Sequence, residues 1–202
     1  MGCAWVLEQI KRHMGTRVRS QDKYGNSLFV QLKDKDMTVD EVFKFSVVPG
    51  KSSCGIQLLY LRDEYSFYCK ELPATRGVSI VVNDTQLWFD DDGQVLYVDG
   101  YCAYQGWQQT SLRVPAYVSA GLFMISPDPK DVQSGTAVRL NDLDTSWPVH
   151  VNAEGWVCIG DPADHGDVAA EFAPNCVAVL KGDALIALWL RPVMCEASDV
   201  GE

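Results

Sequence analysis

Apolar and polar positions alternate along most of this chain in short runs, which turn residues interrupt roughly every ten positions. The runs at 55–61, 65–69 and 77–82 are typical, rich in aliphatic and aromatic residues. The two runs joined by Gly182-Asp183 are an equally clear hairpin signal. We therefore predict a mainly β fold, either an antiparallel sandwich or barrel-like sheets.

Short polar segments of turn-forming residues between these runs predict further hairpins. Residues 21–26 separate two strand-like segments, and Arg62-Asp63-Glu64 separates another pair. Asn83-Asp84 ends the run at 77–82, and Asp92-Gly93 lies between two later runs.

Two segments have helical spacing instead. Residues 3–14 begin the chain and end before Gly15, a common residue after a helix end. Four apolar residues would share one face of this N-terminal helix: Val6, Leu7, Ile10 and Met14. A short later helix is predicted at 168–173, with Asp167 as its N-cap and Pro174 as its stop.

The stretches 82–100 and 140–161 resemble each other. Both contain Asn-Asp, then a tryptophan, then a polar turn ending in Gly93 or Gly155. This echo suggests a degenerate repeat. We expect residues 1–202 to form a single compact unit, and the echo raises the alternative of two similar β subdomains at about 16–112 and 113–202.

Charge is unevenly distributed within the overall net charge of −10. Residues 1–35 hold seven Lys or Arg against three Asp or Glu, a net of +4, and residues 36–202 hold ten against twenty-four, a net of −14. An acidic body repels nucleic acid and anionic lipid and attracts basic surfaces. We therefore expect a basic protein partner, with no nucleic acid and no membrane as partners.

The seven cysteines form no C-x-x-C pair, and several interrupt apolar runs. This usage predicts reduced, mostly buried thiols in a cytoplasmic protein. No phosphate-binding glycine loop and no G-x-S-x-G elbow occurs in the sequence. The expectation is a protein that is not an enzyme and that needs no cofactor.

Three consecutive aspartates, Asp90, Asp91 and Asp92, first suggest a calcium loop. Such a loop spaces its ligands as D-x-D-x-D-G, whereas adjacent strand residues point to opposite faces. We therefore interpret the aspartates as the exposed tip of a hairpin turn that presents charge. Nearby aromatics are typical of either a buried core or a contact surface for protein or carbohydrate.

The leading functional hypothesis is an acidic interaction module, comparable to an immunity protein that neutralises a basic toxin, or to an inhibitor. Its predicted partner-binding residues are Asp90, Asp91, Asp92, Asp99, Tyr101 and Trp107.

Two alternatives remain open. The first is a metal-assisted hydrolase, in which Asp161, Asp164 and His165 would hold the ion or supply a base. The second is a β fold that binds carbohydrate or another small ligand through Trp and Tyr side chains.

Overall fold

The structure of this protein is a computed structural model that describes residues 18–21, 27–30, 43–52, 56–70, 78–126, 137–140 and 145–200. In these residues seventeen strands, numbered along the chain, form two sheets. The first sheet has the order β17 (Val193–Cys195), β4 (Gln57–Leu61), β5 (Ser66–Lys70), β8 (Val95–Tyr101), β7 (Thr85–Phe89), β6 (Val78–Val82), β11 (Ala137–Arg139), β1 (Val18–Gln21) and β2 (Ser27–Val30). The second has the order β3 (Lys44–Pro49), β10 (Val118–Ser126), β14 (Val168–Ala173), β15 (Cys176–Lys181), β16 (Ala184–Leu190), β13 (Val157–Gly160), β12 (Val149–Asn152) and β9 (Gln108–Thr110).

The mainly β prediction is confirmed, but the sheets are not purely antiparallel. β10 pairs with β14 in parallel, and so do β11 with β6, β12 with β9 and β17 with β4. Neither strand order closes on itself within the described residues. Hairpin signals predict only antiparallel neighbours, whereas these four pairs join segments far apart in sequence, and tertiary packing selects them.

The predicted hairpins are present. β1 pairs antiparallel with β2, β4 with β5, β6 with β7, β7 with β8, and β15 with β16. Gly182 takes a φ of 62° between β15 and β16, which explains the glycine in that turn.

The predicted later helix is wrong. Residues 168–173 form β14, which lies between β10 and β15. Ala170 and Phe172 are fully buried, so the segment gains more from pairing on both edges than its alanines gain from helix propensity. Asp167 does not cap a helix. Its Oδ2 accepts a hydrogen bond from the Gly182 backbone N–H at 2.7 Å.

The predicted N-terminal helix lies outside the described residues. Of the described helical segments, both are 3-10 turns, Tyr104–Gly106 and Ala197–Asp199. No helix in the described part of the chain is both long and apolar enough to cross a membrane.

One of the two buried clusters in the described residues contains side chains from both sheets. Phe45 of β3 and Phe89 of β7 belong to opposite sheets, and their ring centroids lie 6.4 Å apart. The Met124 backbone N–H donates to the Gly93 carbonyl at 2.8 Å, which ties β10 to the turn between β7 and β8. The division into two subdomains remains a prediction, and strands from both predicted halves occur in both sheets.

The second sheet is also buried on its other face. Trp156 of the β12–β13 turn and Trp189 of β16 are almost completely buried there, and Val114 packs against their cluster. Strands covered on both faces need apolar residues at every position. This explains the continuous apolar runs at 176–180 and 187–190.

The five described cysteines are free, and four of them are buried: Cys69, Cys102, Cys158 and Cys176. Burial raises the pKa of the Cys69 thiol to about 12, and it raises that of Cys158 to about 12 as well. Cys195 is only half-buried. The prediction of reduced, mostly buried thiols therefore holds for these five, and the compartment remains a prediction.

We expect the buried thiols to resist modification in the folded protein. In a Cys3→Ser/Cys54→Ser variant at about pH 8, a thiolate-specific reagent should titrate at most Cys195, because a thiol with a pKa near 12 is about 0.01% ionised. In denaturant, all five described thiols should become accessible and react. Rapid reaction of more than one native thiol would contradict the burial described here.

Candidate protein-interaction surface

The three consecutive aspartates form a hairpin turn, as predicted. The Asp90 side chain caps this turn, because its Oδ1 accepts the backbone N–H groups of Asp92 at 3.0 Å and Gln94 at 2.8 Å. Gly93 takes a φ of 82°, and its N–H donates to the Asp90 carbonyl. Asp91 and Asp92 are exposed at the tip.

The echo at 152–156 has the same turn geometry. Asn152 Oδ1 accepts the N–H groups of Glu154 and Trp156, each at 3.0 Å. Gly155 has a φ of 82°, equal to that of Gly93. An Asp or Asn at the first position and a Gly at the fourth thus specify one turn at both places.

The six predicted partner-binding residues do not form one surface. The Asp90–Asp92 tip lies before β8, whereas Tyr101 is the last residue of that strand. A strand of seven residues spans about 20 Å. The tip and Tyr101 are therefore at opposite ends of the sheet.

Asp99 lies on the same face of β8 as Tyr101, two residues away. It is half-buried, and its Oδ1 accepts the indole N–H of Trp88 at 2.8 Å. Burial raises the pKa of the Asp99 carboxyl, although the bond from Trp88 opposes the shift. Trp88 in turn stacks on Tyr97 with centroids 5.9 Å apart. Asp99 is thus a hydrogen-bonded member of the sheet face.

Tyr101 is half exposed and lies in a group of tyrosines. Its ring is 6.3 Å from that of Tyr65 at an interplanar angle of 78°. The Tyr104 ring also lies near Tyr65, with centroids 5.5 Å apart, and Tyr104 is 43% exposed. The three side chains come from the β4–β5 turn, the end of β8 and the following 3-10 turn.

Trp107 packs against buried residues next to these tyrosines. Its ring lies 5.0 Å from the buried Tyr60 and is nearly parallel to Phe67 at 6.4 Å. The indole N–H points inward to Cys102 Sγ at 3.4 Å. The Tyr60 hydroxyl donates to the Cys102 carbonyl at 2.5 Å, and burial raises the pKa of this phenol. Trp107 is therefore mainly a packing residue.

Carboxylates lie at the same end of the sheet. Asp63 and Glu64 directly precede Tyr65 in the β4–β5 turn and are exposed. Asp63 Oδ1 accepts the Ala197 N–H at 2.9 Å, which fixes the Ala197–Asp199 turn beside it. Glu196, the residue before that turn, is exposed as well.

Strand register connects the carboxylates to the tyrosines. Cys195 pairs with Leu61, Leu61 with Ser66, and Ser66 with Tyr101. Three inter-strand steps amount to about 14 Å. Glu196 and Tyr101 therefore lie on one side of the molecule.

We call this set of residues the acidic tyrosine surface: Asp63, Glu64, Tyr65, Tyr101, Tyr104, Glu196 and Asp199. Arg62 in the same turn contributes one positive charge, so the surface remains negative overall. The sequence indicates a turn at 62–64, but it contains no signal that places this turn next to Tyr101. The hairpin pairing of β4 with β5 was predictable, but the pairing of β5 with β8 was not.

Asp161 and Asp164 of the proposed metal-assisted site are engaged locally, and His165 beside them is exposed. Asp161 Oδ1 accepts the Ala163 N–H at 2.8 Å. Asp164 accepts the Gly166 N–H and pairs with Lys181 at 3.3 Å, and these interactions lower the pKa of its carboxyl. Across the described residues, no group of three His, Cys, Asp or Glu side chains is placed to hold a metal ion.

No protein-family model matches this chain, and comparison with curated proteins and with solved structures likewise finds no match.

Proposed function

We propose that this protein is a non-enzymatic interaction module that binds a basic protein through the acidic tyrosine surface. One observation carries the proposal: Tyr65, Tyr101 and Tyr104 form a contiguous, partly exposed group at the end of the first sheet that also holds carboxylates from two separate turns. Exposed tyrosines on a rigid support are typical of residues that dominate protein–protein binding energy. A toxin that binds an anionic substrate would have the required basic surface.

Charge supports the same assignment. The body of the chain carries a net charge of −14 over residues 36–202, so it attracts a basic partner from a distance. The carboxylates at the rim, including Glu64 and Glu196, would steer the partner and reject acidic competitors. The tyrosines would supply the buried contact.

Charge reversal tests the proposal. We expect Glu64→Lys/Glu196→Lys to weaken binding of a labelled nona-lysine peptide about tenfold at low salt, since two attractive contacts become repulsive. Fluorescence anisotropy at low and high salt measures the affinity. Thermal unfolding of each variant verifies that it is folded.

The matched control is Asp91→Lys/Asp92→Lys at the opposite end of β8. It changes the net charge by the same amount, also at exposed residues. It should leave the affinity within about twofold of the parent, apart from the long-range effect of net charge. An equal loss in both variants, or no binding to the parent at low salt, would refute the proposed surface.

A further inference from the structure

We propose that Tyr65, Tyr101 and Tyr104 form a corner that receives the guanidinium group of an arginine from the basic partner. This inference rests on the function proposed above and names the group that the surface recognises. The Tyr65 and Tyr101 rings are nearly perpendicular, at 78°, with centroids 6.3 Å apart. Tyr104 approaches Tyr65 at 5.5 Å with an angle of 41°.

The arrangement of the rings favours a cation. Aromatic faces carry negative charge density, and a cation within about 6 Å of a ring centroid is attracted to it. The Tyr101 and Tyr104 rings have centroids 6.3 and 5.5 Å from that of Tyr65, and these two residues are 50% and 43% exposed, so a cation at this group has accessible aromatic surface. Glu64 directly precedes Tyr65 and is exposed, whereas the Asp63 carboxylate accepts the Ala197 N–H.

The same chemistry favours guanidinium over ammonium. A guanidinium group is planar, stacks on aromatic faces and donates two parallel hydrogen bonds to a carboxylate. Lysine ammonium is a strongly hydrated point charge, and it gains less from a flat ring. A group of exposed tyrosines on an acidic surface therefore favours arginine over lysine.

The corner is held in place before any partner binds. Tyr65 has a φ of 54°, a backbone conformation that residues other than glycine seldom adopt. Its carbonyl accepts the Cys102 N–H at 2.7 Å, which joins the β4–β5 turn to the end of β8. Tyr104 lies in the 3-10 turn that follows, and Trp107 closes that turn by donating its backbone N–H to the Tyr104 carbonyl. A backbone fixed before binding reduces the conformational entropy lost when the partner binds.

Three labelled peptides of equal length test which group is recognised. In each peptide glycine alternates with one other residue, which is arginine, lysine or citrulline. Citrulline keeps the shape of arginine but lacks its charge. We expect the arginine peptide to bind about fivefold more tightly than the lysine peptide, and the citrulline peptide not to bind measurably. Tyr104→Leu should lower the affinity for the arginine peptide about fivefold. Tyr104→Phe retains the ring, so its affinity should stay within about twofold of the parent.

The outcomes separate this inference from the proposed function. If arginine and lysine peptides bind equally and Tyr104→Leu changes neither, while Glu64→Lys/Glu196→Lys weakens both, the guanidinium corner is wrong and the acidic surface stands. If no peptide binds the parent at low salt, both proposals fail. If the citrulline peptide binds as tightly as the arginine peptide, the corner does not recognise a positive charge and the inference is wrong.

Discussion

Replacement of Trp107 by alanine is expected to lower the free energy of unfolding by about 3 kcal/mol. The indole packs on Tyr60 and Phe67, and its N–H is directed to Cys102. Its removal would leave a cavity under the acidic tyrosine surface that these neighbours could fill only in part. Urea unfolding, followed by far-UV circular dichroism, measures the change.

Two neighbouring variants make this prediction specific. Tyr104→Ala should cost less than about 1 kcal/mol, because that side chain is 43% exposed. Trp107→Phe should recover most of the stability, since it keeps an aromatic ring against Tyr60 and loses mainly the bond to Cys102. If Trp107→Ala proves as mild as Tyr104→Ala, then Trp107 is a contact residue and not a support.

Gly166→Ala should lower the free energy of unfolding by about 3 kcal/mol or more. Gly166 has a φ of 57°, and a Cβ there would collide with the Leu180 backbone carbonyl. Leu180 belongs to β15 in the middle of the second sheet, so the backbone cannot easily retreat.

Gly182→Ala is the control for backbone conformation alone. Gly182 has a similar φ of 62°, but a Cβ there would meet no atom within 4 Å. This variant should lose about 1 kcal/mol, the usual cost of a left-handed residue other than glycine. The difference between the two variants then measures the steric clash. Equal losses would show that the loop at 161–167 adjusts to relieve it.

Local rules predicted the turns well. Asp90 and Asn152 cap identical hairpins because each side-chain oxygen reaches backbone N–H groups two and four residues on. Gly93 and Gly155 then adopt the positive φ that closes each turn. Such interactions involve only neighbouring residues, so the sequence contains all the information they need.

Local rules failed at residues 168–173. Their alanines favour a helix, and Asp167 followed by a small apolar run has the pattern of a helix start. The segment instead completes the second sheet between β10 and β15. Burial of Phe172 against the core shared by both sheets, together with hydrogen bonds on two edges, outweighs a weak intrinsic preference.

The candidate surface depended on tertiary structure in the same way. The sequence identified Tyr101 and Trp107 as members of an aromatic stretch, and it identified the acidic tip at 90–92. It could not show that the tip and Tyr101 lie at opposite ends of β8, or that Tyr65 contacts Tyr101.

By itself the sequence determined the β character, the hairpins, the capped turns and the acidic charge of the body, since each follows from composition or from contacts within a few residues. The tertiary structure alone decided the parallel pairs, the strand at 168–173 and the meeting of Tyr65, Tyr101 and Tyr104. These features join segments distant in the chain. Their stability comes from shared burial, which no local pattern encodes.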